Sequence, residues 1–173
     1  MKQIQYFLSG AQTLGPQVVP GSTAAVAISA QGATNLTYFA TDYVGNVEQA
    51  KTLTVKIDKT PPLISGMPTA GCTLWPPDHK LVQVAVVTAS DSVSGLAPGS
   101  FTVKGASNEP IDPTEPAIVI TPNSSGGFVV QLQADRLGGG NGRVYTVTAS
   151  ASDLAGNTTN LTATCTVPHD QSN

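Results

Sequence analysis

Groups able to carry acid–base chemistry near neutral pH are few in this chain: two histidines, His79 and His169, among 173 residues. Histidine is the side chain whose ordinary pKa suits a general base in that range. His169 stands in a polar tail, Pro168-His169-Asp170-Gln171, where the sequence offers nothing to hold it in place. A Ser-His-Asp triad or a carboxylate pair needs groups fixed at close range, and no nucleophile-elbow pattern is present. The run Leu137-Gly138-Gly139-Gly140-Asn141-Gly142 would cradle a phosphate only between a strand and a helix, and strand patterns lie on both sides of it. Catalysis is not expected.

Metal chemistry makes a sharper case. Asp91, Asp153 and Asn157 offer carboxylate and amide oxygens, the hard donors of which calcium takes about six to eight at roughly 2.3–2.6 Å. In a two-sheet sandwich the loop after the second strand and the bend of the last hairpin emerge at the same end, which would gather these three residues. The competing reading is turn chemistry. In Asp153-Leu154-Ala155-Gly156-Asn157 the aspartate caps backbone amides, while Gly and Asn tolerate positive φ. The dense acidic spacing of a dedicated calcium loop is missing, and the similar Asp42…Asn46 stretch has no third acidic partner in view. Trp75 with His79 raises one further chemistry, a stacking platform for a sugar. Against it, a single Trp before Pro76-Pro77 reads as a plug at the end of a sandwich, with His79 a turn residue.

The elements that would position these residues are strands. Arg143–Val167 alternates apolar and small polar residues, breaks at Asp153–Asn157 and resumes, which is a β-hairpin. The same pattern runs through Leu36–Asn46 and Lys51–Ile57, so Asp42 and Asp153 are equivalent points of two similar β domains. Charged residues make up only 11% of the chain, the net charge is -3, and no helical period is evident. Without a Lys/Arg cluster no nucleic-acid partner is expected, and without a long apolar run no membrane insertion. An export signal is expected upstream, so the chain reads as an interior part of a longer, extracellular protein.

Along the first domain, strands are expected at 3–9, 17–19, 24–29, 34–41 and 50–57. Pro61-Pro62 has no amide hydrogen to give a ladder and holds the chain extended, so it forms a short, semi-rigid linker. The domains are therefore expected at 1–61 and 62–173. In the second, strands are expected at 81–87, 100–104, 117–121 and 128–134, ahead of the hairpin.

The passage LTYFATDYVGNVEQAKTLTVKIDKTPP resembles the C-terminal half of bacterial extracellular immunoglobulin-like repeats of the Big and HYR type. Those repeats end in a Tyr-x-Ala-x-Asp-x-x-Gly-Asn hairpin and an Ile-Asp-x-Thr-x-Pro linker. LWPPDHKLVQVAV, DSVSG, GNGRVYTVTASASDLAGN and TVPHDQ resemble another module of the same group, so the likeness covers nearly the whole chain. It implies two tandem immunoglobulin-like β-sandwiches in a secreted or surface-attached protein, acting as spacers, adhesive units or accessories to enzymes. Partners would be other domains of the same polypeptide, a surface protein or a glycan; the alternative function is an accessory carbohydrate-binding module using Trp75 and His79.

Such a sandwich has about seven strands, so the first domain lacks its early ones. Its apolar face and open edge invite self-association. The first strand of such a domain runs beside its last. Cys72 and Cys165 would then pair as a disulfide, stabilising by about 4–5 kcal/mol in the chain-entropy model, or else stay as two buried thiols.

Overall fold

The computed structural model describes residues 1–170. Among the described residues the chain is all-β, with twelve strands and no helix. It divides into two compact units, Met1–Lys59 and the part from Thr60 onward.

In the first unit, β1 (Gln3–Gly10), β2 (Leu14–Pro20), β3 (Gly32–Thr41) and β4 (Lys51–Ile57) form one antiparallel sheet in the order β2-β1-β3-β4. Residues opposite one another share a face of the pleat, and the register sets Tyr6 against Tyr38, Leu8 against Leu36, and Leu36 against Leu53. One face is therefore apolar, as the period-two alternation requires. Of its large side chains only Leu8 is buried, while Leu53 stays 54% exposed.

The expected strand at 24–29 joins no ladder. Its beginning, with Ser22, Thr23, Ala24 and Val26, instead lies along the apolar face and shares with Ile4, Tyr6 and Leu53 a groove of about 400 Å3. The Gln12 side chain holds the end of this segment: its Nε2 donates to the Ala27 carbonyl, and its Oε1 accepts the Ser29 and Ala30 amides. A side-chain amide thus does locally what a strand partner would do, and the unit is one sheet of four strands, half of a sandwich.

The second unit is a two-sheet sandwich. β5 (Leu63–Ser65), β7 (Leu81–Ser90), β10 (Phe128–Gln133) and β9 (Ile118–Pro122) make one sheet in the order β5-β7-β10-β9. β6 (Cys72–Thr73), β12 (Thr158–Pro168), β11 (Gly142–Ser152) and β8 (Thr102–Ser107) make the other, in the order β6-β12-β11-β8. Pairing is antiparallel except between β6 and β12, which run parallel. Between the sheets pack Val87, Val130, Leu132, Tyr145, Val147, Cys165 and Val167, all with no exposed surface. Each large apolar side chain so buried stabilises by about 1.5–3 kcal/mol. Gly66, at φ +75°, sits so close to β7 that a Cβ would stand 1.9 Å from the Val86 carbonyl oxygen; only glycine lets β5 leave there.

β11 organises this unit. Its inward row, Arg143, Tyr145, Val147, Ala149, Ala151 and then Asp153 just past its end, is at most 3% exposed at every position. The row is apolar in the middle and charged at both ends. Burying a charge is costly unless it is paired and hydrogen-bonded, so the partners at the two ends are where chemistry has to be sought.

Candidate functional site

At the Asp153 end the chain makes a five-residue bend. Asp153 Oδ1 accepts the amides of Ala155 (2.9 Å) and Asn157 (2.8 Å), and its Oδ2 accepts the Asn157 side-chain amide at 2.7 Å. The backbone closes with the Asp153 amide on the Asn157 carbonyl and the Gly156 amide on the Asp153 carbonyl. Gly156 supplies the left-handed residue, φ +92°, that the bend requires.

The same bend recurs at Asp42, where Oδ1 accepts the Val44 and Asn46 amides and Oδ2 the Asn46 side chain, at 3.0, 2.9 and 2.8 Å. Gly45 is left-handed there too. A third copy stands at Asn123, whose Oδ1 takes the Ser125 and Gly127 amides. At Asp42 the Asn46 side-chain amide, followed by the backbone amides of the bend, favours the ionised carboxylate and lowers its pKa below the ordinary 3.8.

Asp91, at the end of β7, gathers its own loop: Oδ1 accepts the amides of Val93, Ser94 and Gly95, the last at 2.7 Å. That loop is bound to the hairpin, with the Leu154 amide on the Gly95 carbonyl, the Ala97 amide on Ser152, and a bridge between Leu96 and Asp153. The structure so brings Asp91 and Asp153 together, with carboxylate oxygens within 4.8 Å. Asn157 joins them through its hydrogen bonds to Asp153. Two carboxylates and a side-chain amide are suitable oxygen donors for calcium. Both oxygens of Asp153 already accept hydrogen bonds of the bend, so a cation would share them with the turn.

The Arg143 end holds a polar cluster that sequence reasoning missed. Arg143 Nε meets Glu109 Oε2 at 3.2 Å and its Nη2 meets Asp135 Oδ2 at 3.5 Å. Its Nη1 donates to the Tyr145 hydroxyl, which donates in turn to the Gln133 carbonyl at 2.8 Å; burial pushes this phenol's pKa up. Glu109, 9% exposed, also accepts the Leu137 amide and so anchors the glycine-rich loop. That loop is a closure fastened by a carboxylate. The one signal in the sequence was Arg143 itself, a charge on the inward-facing parity of an apolar strand.

Trp75 and His79 lie towards this end, and Trp75 is no buried plug. Trp75, joined to Pro76 by a cis peptide, is 43% exposed, and its neighbour Leu74 fills the core instead. His79, at φ +63°, sets its Nδ1 3.4 Å from Asp135 Oδ1. His169 is better held than its tail suggests. Its carbonyl accepts the Arg136 Nη2 at 2.7 Å, and its ring Nε2 lies 3.1 Å from the Gly138 carbonyl oxygen. Gln171 of that tail is outside the described residues.

Cys72 and Cys165 form a disulfide across the parallel β6–β12 pair, with Cα atoms 4.6 Å apart. It ties the opening of the unit to its final strand, the second of the two sequence readings for these cysteines being set aside.

No protein-family model matches the chain, and no curated protein matches it. Among solved structures it is similar to extracellular cadherin domains 3–6 of protocadherin gamma B2, at 13% identity and a TM-score of 0.44. The match covers 96% of this chain, which spans 40% of that one.

Proposed function

We propose that the chain is a non-catalytic structural or binding module, a spacer or adhesive repeat of a larger secreted or surface-attached bacterial protein. One observation carries the reading: the buried ionisable side chains of the second unit are engaged in closing it. Arg143 and Glu109 fasten one end of β11, and Asp153 fastens the other. The disulfide supports an oxidising, extracellular setting. The boundary between modules falls at the Pro61-Pro62 linker, and neighbouring domains of the same polypeptide are the first partners.

The experiment is a glycan array and polysaccharide pull-down with the full chain and its Trp75→Ala variant. A spacer or protein-binding repeat leaves both unretained. Retention that disappears with Trp75→Ala would replace this reading with an accessory carbohydrate-binding module, which the exposure of Trp75 favours.

Calcium at Asp91, Asp153 and Asn157 is a second reading of one end of the module, supported by the approach of the two carboxylates. A ligand that binds only the folded state raises the melting temperature. A fall on adding EDTA, restored by calcium, supports the site; an unchanged melt leaves these residues as turn anchors alone.

A further inference from the structure

We infer that the first unit pairs with a second copy of itself through β4, edge to edge and antiparallel, about a two-fold axis at Thr54. This stands apart from the proposed module function. A unit of 59 residues with a single buried large apolar side chain is short of core, and small domains in that position are commonly completed by oligomerisation.

The two edges of its sheet differ. β2 carries Pro16 and Pro20, which cannot donate to a ladder, and its register with β1 is broken by a bulge; both features protect an edge. β4 has no proline, keeps an unbroken register with β3 from Lys51 to Ile57, and exposes Lys51, Thr52, Leu53, Thr54 and Lys56. It is the edge able to accept another strand.

The sequence of β4, KTLTVKI, selects the register. An axis on Thr54 pairs all seven residues: Lys51 with Ile57, Thr52 with Lys56, Leu53 with Val55, and Thr54 with its own copy. Leu53 and Val55 then meet on the apolar face, in line with Leu36 and Leu8 of each copy. No lysine faces a lysine. An axis on Val55 would oppose Lys51 to Lys59, and a shift by one residue would set the apolar face of one copy against the polar face of the other.

Analytical ultracentrifugation of the full chain over a concentration series, with Thr52→Glu and Thr52→Lys, tests this. Thr52 is exposed, and in this register it faces Lys56 of the second copy, so each substitution acts twice. Thr52→Glu should lower the dimer dissociation constant roughly two- to thirty-fold, an effect screened by salt, and Thr52→Lys should raise it by a similar factor. Circular dichroism confirms that both variants keep the fold. A wild type and Thr52→Glu variant that stay monomeric to the highest concentration overturn the inference. So does a dimer whose affinity ignores residue 52, since it would be built on another surface.

Discussion

The charged residues bounding β11 are the most consequential single positions. Breaking a buried ion pair by removing one partner strands the other charge, at a cost of about 3–5 kcal/mol. Arg143→Met should therefore lower unfolding stability by about that amount, and the double variant Arg143→Met/Glu109→Met should recover a large part of it; urea denaturation of the three proteins measures both. Asp42 gives a prediction in pH. Its folded pKa lies below its unfolded one, so the bend's contribution is full above the unfolded value and is lost as pH falls through the folded one. Asn46→Ala removes the largest cause of the shift and should return Asp42 towards the ordinary carboxylate value, read by NMR titration of its carboxyl carbon.

At the scale of elements, the hairpins were legible in the sequence because their chemistry is local. Asp153, Gly156 and Asn157 sit within five residues, and each type has one reason to be there: acceptor, left-handed backbone, donor. The Arg143 cluster was not, since Glu109 and Asp135 come from two separate loops that only the folded sandwich brings to one place. Ala24–Ser29 misled for a different reason: the alternation that suits a ladder also suits a segment tethered by the Gln12 amide. The expectation that Asp91 lies near Asp153 came from which end of a sandwich two loops share, and the single bridge between Leu96 and Asp153 ties the two loops together. The disulfide spans a sequence separation of 93 residues, and its loss should cost about 4–5 kcal/mol in the chain-entropy model. Melting the wild type with and without reductant, beside Cys72→Ala/Cys165→Ala, measures this; reduced protein and double variant should melt alike.

For the whole molecule, the contrast between the two units sets the order of opening. The core cluster is drawn from residues between Ile64 and Val167, whereas the first unit buries Leu8 and Thr34. Regions with few buried apolar contacts open at lower free energy. In hydrogen exchange followed by mass spectrometry, peptides from β1 and β3 should lose protection well before those from β10, β11 and β12. Equal protection in both units would mean that something besides its own core stabilises the first. Asp153 closes a strand end as a matter of folding. Asp153→Ala leaves amides of the bend without their acceptor, at about 1.5–3 kcal/mol for hydrogen bonds to a charged group. Urea unfolding of the wild type and Asp153→Ala, each in EDTA and in calcium, tests this most directly. The same loss in both media is the expected result. A loss that appears only with calcium present would contradict it, and would make the bend a metal ligand first and a turn second.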